Sequence, residues 1–432
     1  MALQDYETLM VRCNRCSYCK VVPHAVLDDI EYENICPSIA RYHFHGYSGG
    51  GKMISALALL RGRIDYTDEY VEMIYKCMVD GGCDISCKVN RDLEPLQVLL
   101  ELRSKCVQDG QMLPEHMMTI EHLRKEDNMM FAPKSDRGDW AQDLDVKELP
   151  GQSAEVLFHA GCHYSFNQDL WPAARTSVEL LRKAGVDVGV MGKEETCCGG
   201  RAYEMGFKAE LVKFCEHTLD MWKAAGVKTV VTACSDCFHS YNVKYDMIGQ
   251  KPEIEIVHMT QYLERLIAQN RLLLTEEVPM VVTYHDPCHL GRLSEAWVHW
   301  KGRETKVLGQ LVGFDPPREF RRGSKGVYET PRNLLRRIPG ITLVEMSRIR
   351  EYAWCCGSGG GVKEAFPDFA QWTAVERLKE AESTGADAIV TACPWCASNF
   401  NDTMEERPSN LKVYDVLELL GRATGLKENK RA

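Results

Sequence analysis

The chain has 432 residues, 45% hydrophobic and 26% charged, which fits an ordinary soluble protein of about two to four domains. A formal net charge of -10 argues against nucleic acid or an anionic membrane as the main partner. Nineteen cysteines in a chain this long exclude a small secreted disulfide scaffold and, in a reducing compartment, point to metal or redox chemistry.

The N-terminus, Met1 to Glu7, carries neither the basic nor the apolar region of a signal peptide. The longest apolar runs, such as Val278 to Val282 and Leu272 to Leu274, are far too short to span a bilayer. The expectation is a cytoplasmic protein without a transmembrane segment, at most peripheral to a membrane complex.

Residues 1–145 open with Cys13-x2-Cys16-x2-Cys19, followed by Cys36-Pro37. A second run, Cys77-x2-Asp80-x2-Cys83-x3-Cys87, lies beyond it. Three cysteines at this pitch with a remote Cys-Pro form the ligand run of a cubane iron–sulfur cluster. In two-cluster proteins the fourth cysteine of each run serves the other cluster. One cluster then takes Cys13, Cys16, Cys19 and Cys87, and the other Cys36, Cys77 and Cys83. Asp80 stands where the second run calls for cysteine. A carboxylate is a harder ligand than thiolate, so this centre is either Asp80-ligated or a three-iron cluster. The alternative for both runs is zinc, which needs only four ligands in one place.

Gly46 to Lys52 satisfies the Gly-x4-Gly-Lys part of a phosphate loop, but Met53 replaces the Ser/Thr that would hold magnesium and no strand precedes it. A glycine-rich turn leading into a helix over Met53 to Leu60 is the expectation. Leu93, Leu96, Leu99, Leu100 and Leu102 follow a helical period, and His116 to Leu123 continues it. Lys125 to Asn128 and Ala132 to Gln142 read as a linker.

Residues 146–270 alternate strand and helix, the pattern of a parallel α/β layer fold. Strands are expected at Glu155 to His159, Val186 to Val190 and Thr229 to Thr232, with helices over Ala173 to Ala184 and Tyr203 to Ala225. Each strand leads to cysteine: Cys162, then Cys197-Cys198-Gly199-Gly200, then Cys234-x2-Cys237. A parallel sheet would gather all of them at its carboxyl edge. Five thiolates are one more than a cubane or a tetrahedral zinc needs. Adjacent cysteines suit bridging or neighbouring irons, and glycines after them let the backbone approach an inorganic core.

Residues 271–432 repeat the module. Strands at Met280 to Tyr284, Ile341 to Glu345 and Ala388 to Thr391 lead to Cys288, Cys355-Cys356-Gly357 and Cys393-x2-Cys396. Val231-Thr-Ala-Cys-Ser-Asp-Cys237 aligns with Val390-Thr-Ala-Cys-Pro-Trp-Cys396, and an internal duplication explains both. The first gap is 66 residues here against 34 before, with the added material at about 300–339. From Lys301 to Ile338 it holds ten basic and four acidic residues. It is either a solvated loop or a surface on which Arg318, Arg321, Arg322 and Lys325 meet an anionic substrate or acidic partner. His163, His285 and His289 flank the cysteines, either relaying protons to a sulfur substrate or hydrogen-bonding a thiolate or carbonyl. Cys106 and Cys215 stand apart from the motifs, in helical stretches, and are expected to be buried core thiols.

The doubled order Cys, long gap, Cys-Cys-Gly, Cys-x2-Cys resembles the cysteine-rich CCG domains of the heterodisulfide reductase family. A two-cluster ferredoxin module ahead of two CCG domains resembles the family's D-type subunit, from about residue 10 to about 420. The resemblance implies an α/β protein with an N-terminal, mostly helical ferredoxin-like domain (1–145, with linker) and two duplicated CCG domains (146–270 and 271–432). It implies two ferredoxin-type [4Fe-4S] clusters and two noncubane [4Fe-4S] clusters. The ligands of the latter would be Cys162, Cys197, Cys198, Cys234 and Cys237, then Cys288, Cys355, Cys356, Cys393 and Cys396, with disulfide cleavage by one-electron steps at the paired centres. Partners implied are flavoprotein or iron–sulfur subunits of an anaerobic complex. Family members serve heterodisulfide reduction, sulfite reduction, lactate oxidation or electron supply to benzoyl-CoA reductase. The rival readings are an electron-conducting scaffold with no substrate of its own and a zinc-stabilised binding module.

Overall fold

The computed structural model describes residues 2–427 apart from 28, 309 and 310. The N-terminal region is built from helices, among them Pro37–Tyr42, Gly49–Leu60, Asp68–Tyr75, Gly82–Asn90, Pro95–Gln108 and Pro114–Glu126. Three of these begin with proline at the first turn, where its missing N–H costs nothing. Leu93, Val98, Leu99, Leu102 and Cys106 pack against Met53, Ala56, Ile74 and Tyr75 in a core of their own.

The helix expected from Met53 starts earlier, at Gly49. Ser48 caps it by accepting from Gly51 N–H at 3.1 Å. Glycine is a poor helix former, but a Cβ at Gly49 would lie 2.9 Å from the Cys83 Cβ, and one at Gly51 2.0 Å from the His45 carbonyl oxygen. The glycines thus let a helix N-terminus approach the cysteines closely.

Two parallel sheets follow. The first orders its strands β1-β3-β2-β4-β5, from Lys147–Glu148 (β1), Val156–His159 (β2), Val188–Val190 (β3), Thr229–Thr232 (β4) and Glu255–His258 (β5). The second orders β11-β10-β6-β9, from Met280–Tyr284 (β6), Ile341–Val344 (β9), Ala388–Thr391 (β10) and Lys412–Asp415 (β11). Matching β2 with β6, β3 with β9, β4 with β10 and β5 with β11 superposes the two orders, as the duplicated sequence requires. β2 and β10 are buried along their whole length, the pattern of strands covered on both faces. The insertion contributes an antiparallel hairpin, Arg303–Val307 (β7) with Leu311–Asp315 (β8), and the helix Glu329–Arg337.

The stretch read as a linker is not a loose tether. Lys134–Ala141 forms a 3-10 helix with Arg137 and Trp140 buried, and Trp140 packs edge-on against Phe158 of β2. The helix expected from Tyr203 to Ala225 breaks at Gly206, where φ is +101° and a Cβ would lie 2.4 Å from the Arg103 carbonyl oxygen. Arg103 ties the three regions together. Its guanidinium donates to the carbonyls of Ile74, Tyr75 and Cys77, of Glu204, and of Gly360.

Candidate metal centres

In the N-terminal region Cys13, Cys16, Cys19 and Cys87 line one hollow with Gly50 and Met53. Gly50 N–H donates to the Cys19 sulfur at 3.3 Å, and a Cβ at Gly50 would lie 3.6 Å from the sulfurs of both Cys13 and Cys19. These are the four cysteines that crossed ligation assigns to one cluster, although Cys87 is distant in sequence. The phosphate-loop look-alike is therefore a helix N-terminus turned toward thiols, where its free N–H groups favour negative charge.

Cys36, Cys77 and Cys83 form the second N-terminal group, with Asp80 among them. Burial pushes the Cys36 thiol up to about 12 and the Cys83 thiol well above its ordinary range. A buried thiolate needs compensating positive charge, which a metal cluster supplies. Asp80 is already engaged. Its Oδ1 accepts from Gly82 N–H at 3.3 Å and its Oδ2 from Arg292 at 2.8 Å, while Arg292 Nε donates to its carbonyl at 2.6 Å. The carboxylate where a cysteine was expected thus has buried partners of its own, 212 residues away in sequence.

The first α/β half brings its five cysteines together at the carboxyl ends of its strands. Cys162 follows β2, Cys197 and Cys198 follow β3, and Cys234 and Cys237 follow β4. All five line one hollow beside Met129, His163, Arg201, Asp236 and Trp395. Gly199 N–H donates to the Cys197 sulfur at 3.4 Å. Arg137, from the supposed linker, donates to the Cys162 sulfur at 3.4 Å and pairs with Glu195 at 3.2 Å. Hydrogen bonding with Cys197, together with the Arg137 guanidinium, brings the Cys162 thiol down to about 6. Glu195 itself accepts from the N–H groups of Ala160 and Gly161, which lead into Cys162.

The second half repeats this arrangement around Cys288, Cys355, Cys356, Cys393 and Cys396. Gly357 N–H donates to the Cys355 sulfur at 3.4 Å, the counterpart of the Gly199 bond. The cation beside the leading thiol differs: His289 Nδ1 lies 3.4 Å from the Cys288 sulfur. Hydrogen bonding with Cys355, with His289 next to it, brings the Cys288 thiol down to about 6. His289 is held between Asp236 (3.0 Å) and Glu204 (2.6 Å), and Lys244 joins Glu204 at 2.7 Å.

The two sets interlock. His163, which follows Cys162, stacks on Trp395 of the second half's Cys-x2-Cys turn at 4.1 Å. His289, which follows Cys288, pairs with Asp236 of the first half's turn. Arg201 lies over the Trp395 ring at 3.9 Å and donates to Ser358 in the other half. The second half also grips the N-terminal region. A Cβ at Gly359 would lie 2.4 Å from the Met78 carbonyl oxygen, and Arg292 donates to the Glu351 and Ala353 carbonyls as well as to Asp80. His285 lies against Cys356 and Cys396, with one ring nitrogen and both sulfurs within 4.8 Å of one another.

These groups fit iron–sulfur clusters. The thiols are gathered and mostly buried, Cys19, Cys197 and Cys355 accept from backbone N–H groups, and the first set of each kind lines a hollow. Cys106 and Cys215 are fully buried away from them in their helices. The basic side chains of the insertion are mostly partnered, several of them by residues outside it. Arg318 pairs with Asp92 and lies over Phe314, Arg321 lies over Trp297 and donates to the Glu295 carbonyl, and Lys325 pairs with Glu319. Arg322 is exposed. Sequence reasoning missed Arg137, Glu195, Arg201, Glu204 and Arg292. Arg137 and Glu195 sit among other charged residues, in Lys134 to Asp139 and Lys193 to Glu195, and nothing in the local pattern marks them.

A family model described as cysteine-rich domain matches residues 156–241 and 318–401. The second match begins after Cys288, which the insertion separates from the rest of its set and the fold returns to it. Among curated proteins, the chain is 30% identical over 367 residues to the D-type subunit of the dihydromethanophenazine:CoB–CoM heterodisulfide reductase of Methanosarcina acetivorans, covering 83% of this chain and 80% of that one. It is 29% identical, with the same coverage, to the corresponding subunit of Methanosarcina mazei. It is also 27% identical to the EtfAB:quinone oxidoreductase of Syntrophomonas wolfei, over 82% of this chain and 46% of that one. Among solved structures, a hypothetical protein from Helicobacter pylori aligns with a TM-score of 0.51 at 11% identity over 88% of this chain and 68% of that one, a likeness of fold alone. Among the described residues, no helix is long and apolar enough to cross a membrane.

Proposed function

The chain belongs to the family of heterodisulfide reductase D-type subunits, and from that membership we propose that it is the iron–sulfur component through which a larger redox complex delivers electrons to a pair of noncubane clusters. The observation that carries this reading is the doubled set of five gathered thiols, nine of the ten buried, each set at the carboxyl edge of a parallel sheet and each sharing its walls with the other. In this reading Cys162, Cys197, Cys198, Cys234 and Cys237 hold one noncubane cluster, and Cys288, Cys355, Cys356, Cys393 and Cys396 the other. Cys13, Cys16, Cys19 and Cys87 hold a ferredoxin-type [4Fe-4S] cluster. Cys36, Cys77 and Cys83 hold a second cluster of that type, as a three-iron or an open-site form.

When bound, such clusters supply one-electron chemistry at potentials set by burial, charge and hydrogen bonds to their sulfurs. The chain's own residues then set those terms. Gly50, Gly199 and Gly357 direct N–H groups at thiolates, and Arg137 and His289 place a cation beside the leading thiol of each set. The contact of Gly359 and Gly360 with Cys77 and Met78 joins the second N-terminal group to the second five-thiol set, which is where electrons would cross.

The donor is a flavoprotein or iron–sulfur protein of the same complex. The acceptor is a disulfide, a quinone-like carrier or another protein's centre, that of a benzoyl-CoA reductase included. The cytoplasm is the compartment that keeps these thiols reduced. A second reading, an electron conductor with no substrate of its own, is favoured by one observation: nine of the ten CCG thiols are buried. Anaerobic iron and acid-labile sulfide analysis with EPR tests both readings against zinc, and iron with sulfide well above zinc is expected. Disulfide reduction by the isolated protein with an artificial donor would favour the first reading. Turnover only in the assembled complex would favour the second.

A further inference from the structure

The two halves place a histidine at the same position, three residues before the leading cysteine: His159 in the first and His285 in the second. Their surroundings differ. His159 spends both ring nitrogens within its own half, Nδ1 toward Glu195 at 3.3 Å and Nε2 with the Tyr241 hydroxyl at 2.7 Å. The aligned partners are missing from the second half. Ala353 stands where Glu195 does, counting two residues back from the double cysteine, and Phe400 where Tyr241 does, counting four beyond the last cysteine. Phe400 meets the His285 ring edge-on at 5.0 Å and offers it no hydrogen bond.

His285 has instead gained a partner at Nδ1. Arg377 Nε donates to that nitrogen at 3.1 Å, and the first half has no arginine at the matching position, which is Leu219 counted from the double cysteine and Thr218 counted back from the Cys-x2-Cys turn. Arginine has no acceptor and keeps its protons. Nδ1 must then be the bare nitrogen, the ring is neutral, and its proton sits on Nε2. That nitrogen is buried with no nitrogen or oxygen partner among the described residues, and the ring lies against the sulfurs of Cys356 and Cys396.

We infer that His285 is a positioning residue whose Nε2–H, fixed by Arg377, donates a hydrogen bond to the Cys356 thiolate and so raises the reduction potential of the second noncubane cluster. A donor to sulfur stabilises the more negative, reduced form, and the first half withholds this donor by tying His159 to Tyr241 and Glu195. The same tautomer argues against His285 as an iron ligand, since a ligating nitrogen must be free of its proton. His285 thus lifts the second centre above the potential that its thiols alone would give it.

This rests on the reading that each five-thiol set holds a cluster, and the test separates the two. In anaerobic full-chain protein, EPR-monitored redox titration of H285L should move one noncubane midpoint to more negative potential and leave the other in place. H285Q, whose amide can still donate, should hold that midpoint nearer to the wild-type value. Retained iron and sulfide with both midpoints unmoved in H285L overturns the inference. Absence of noncubane clusters from the wild-type protein overturns the underlying reading instead. Should H285L fail to assemble, wild-type protein labelled with 15N-histidine answers by pulsed EPR. A weak nitrogen coupling with an exchangeable proton that is present in wild type and lost in labelled H285Q supports the hydrogen bond, since His289 also lies at a sulfur of this set. A strong coupling of ligated imidazole, or none at all, refutes it.

Discussion

Asp80 and Arg292 offer the sharpest test of how the N-terminal region meets the second half. Their side chains are 8% and 1% exposed, and they pair at 2.8 Å. Breaking a buried pair from one side costs about 3 to 5 kcal/mol, because the remaining charge is left uncompensated. The lower end applies to D80N. Arg292 keeps the carbonyls of Asp80, Glu351 and Ala353, and asparagine can still accept from Gly82 N–H. D80N should therefore lower the unfolding free energy by about 3 kcal/mol. R292M should cost at least as much, since it abandons all four bonds. The double variant should cost about 2 kcal/mol less than the sum, the signature of direct coupling. The assay is anaerobic urea unfolding followed by tryptophan fluorescence, with iron content and EPR on each variant. Strict additivity would refute the pairing argument. A changed EPR spectrum in D80N with an unchanged one in R292M would refute it differently, by making Asp80 an iron ligand.

Other consequences can be read from single sites. Burial raises Asp415 to about 7, and Tyr164 donates to it at 2.6 Å. The folded state thus holds a proton that the unfolded chain releases near pH 4. Stability should be full below pH 4 and fall by about 4 kcal/mol as pH rises to 7, and D415N, which keeps the helix cap, should flatten that slope by one proton in pH-dependent unfolding. G359A drives a Cβ to within 2.4 Å of the Met78 carbonyl oxygen, so a loss of about 1 to 3 kcal/mol and altered EPR of the second N-terminal cluster are expected. In the insertion, R322E should leave stability within about 0.5 kcal/mol. R321E, which loses the Trp297 ring and the Glu295 carbonyl, should unfold at clearly lower urea concentration. Equal effects of the two would sink the distinction between a hydrogen-bonded arginine and an exposed one whose contact is the Phe320 ring.

The fold was legible where chemistry is local. β4, β6 and β10 match their expected limits because each is a short apolar run ending at a cysteine. β5 and β11, Glu-Ile-Val-His and Lys-Val-Tyr-Asp, escaped notice because each buries two residues of which one is polar, Val257 with His258 and Val413 with Asp415. Helix limits failed for a different reason. The Gly49 start contradicts propensity, and only the approach to Cys83 and Cys19 explains it. The cysteine sets were legible because thiol spacing survives in sequence. Their cations were not, since Arg137 reaches Cys162 from 25 residues away, Arg201 reaches Ser358 from 157, and Arg292 reaches Asp80 from 212.

The duplicated halves have also parted company in a way that bears on how they sit together. Asp236 and Trp395 occupy the same position of their Cys-x2-Cys turns, as His163 and His289 do after their leading cysteines. Each turn residue meets the other half's histidine. One junction is aromatic, His163 on Trp395, and one is ionic, His289 with Asp236. The ionic junction needs a protonated histidine, and Glu204 and Asp236 supply the negative charge that keeps His289 protonated. The aromatic junction makes no such demand, and burial near Lys363 and Arg201 holds His163 well below its ordinary range. This division of labour explains why the first half recruits its cation from outside the repeat. With His163 uncharged, the thiol at Cys162 has no cation of its own, and Arg137 from the connecting segment provides it. A segment that looked like a tether is thereby committed to one of the two sites, with Arg137 at the Cys162 sulfur and Trp140 packed on Phe158 of the same half.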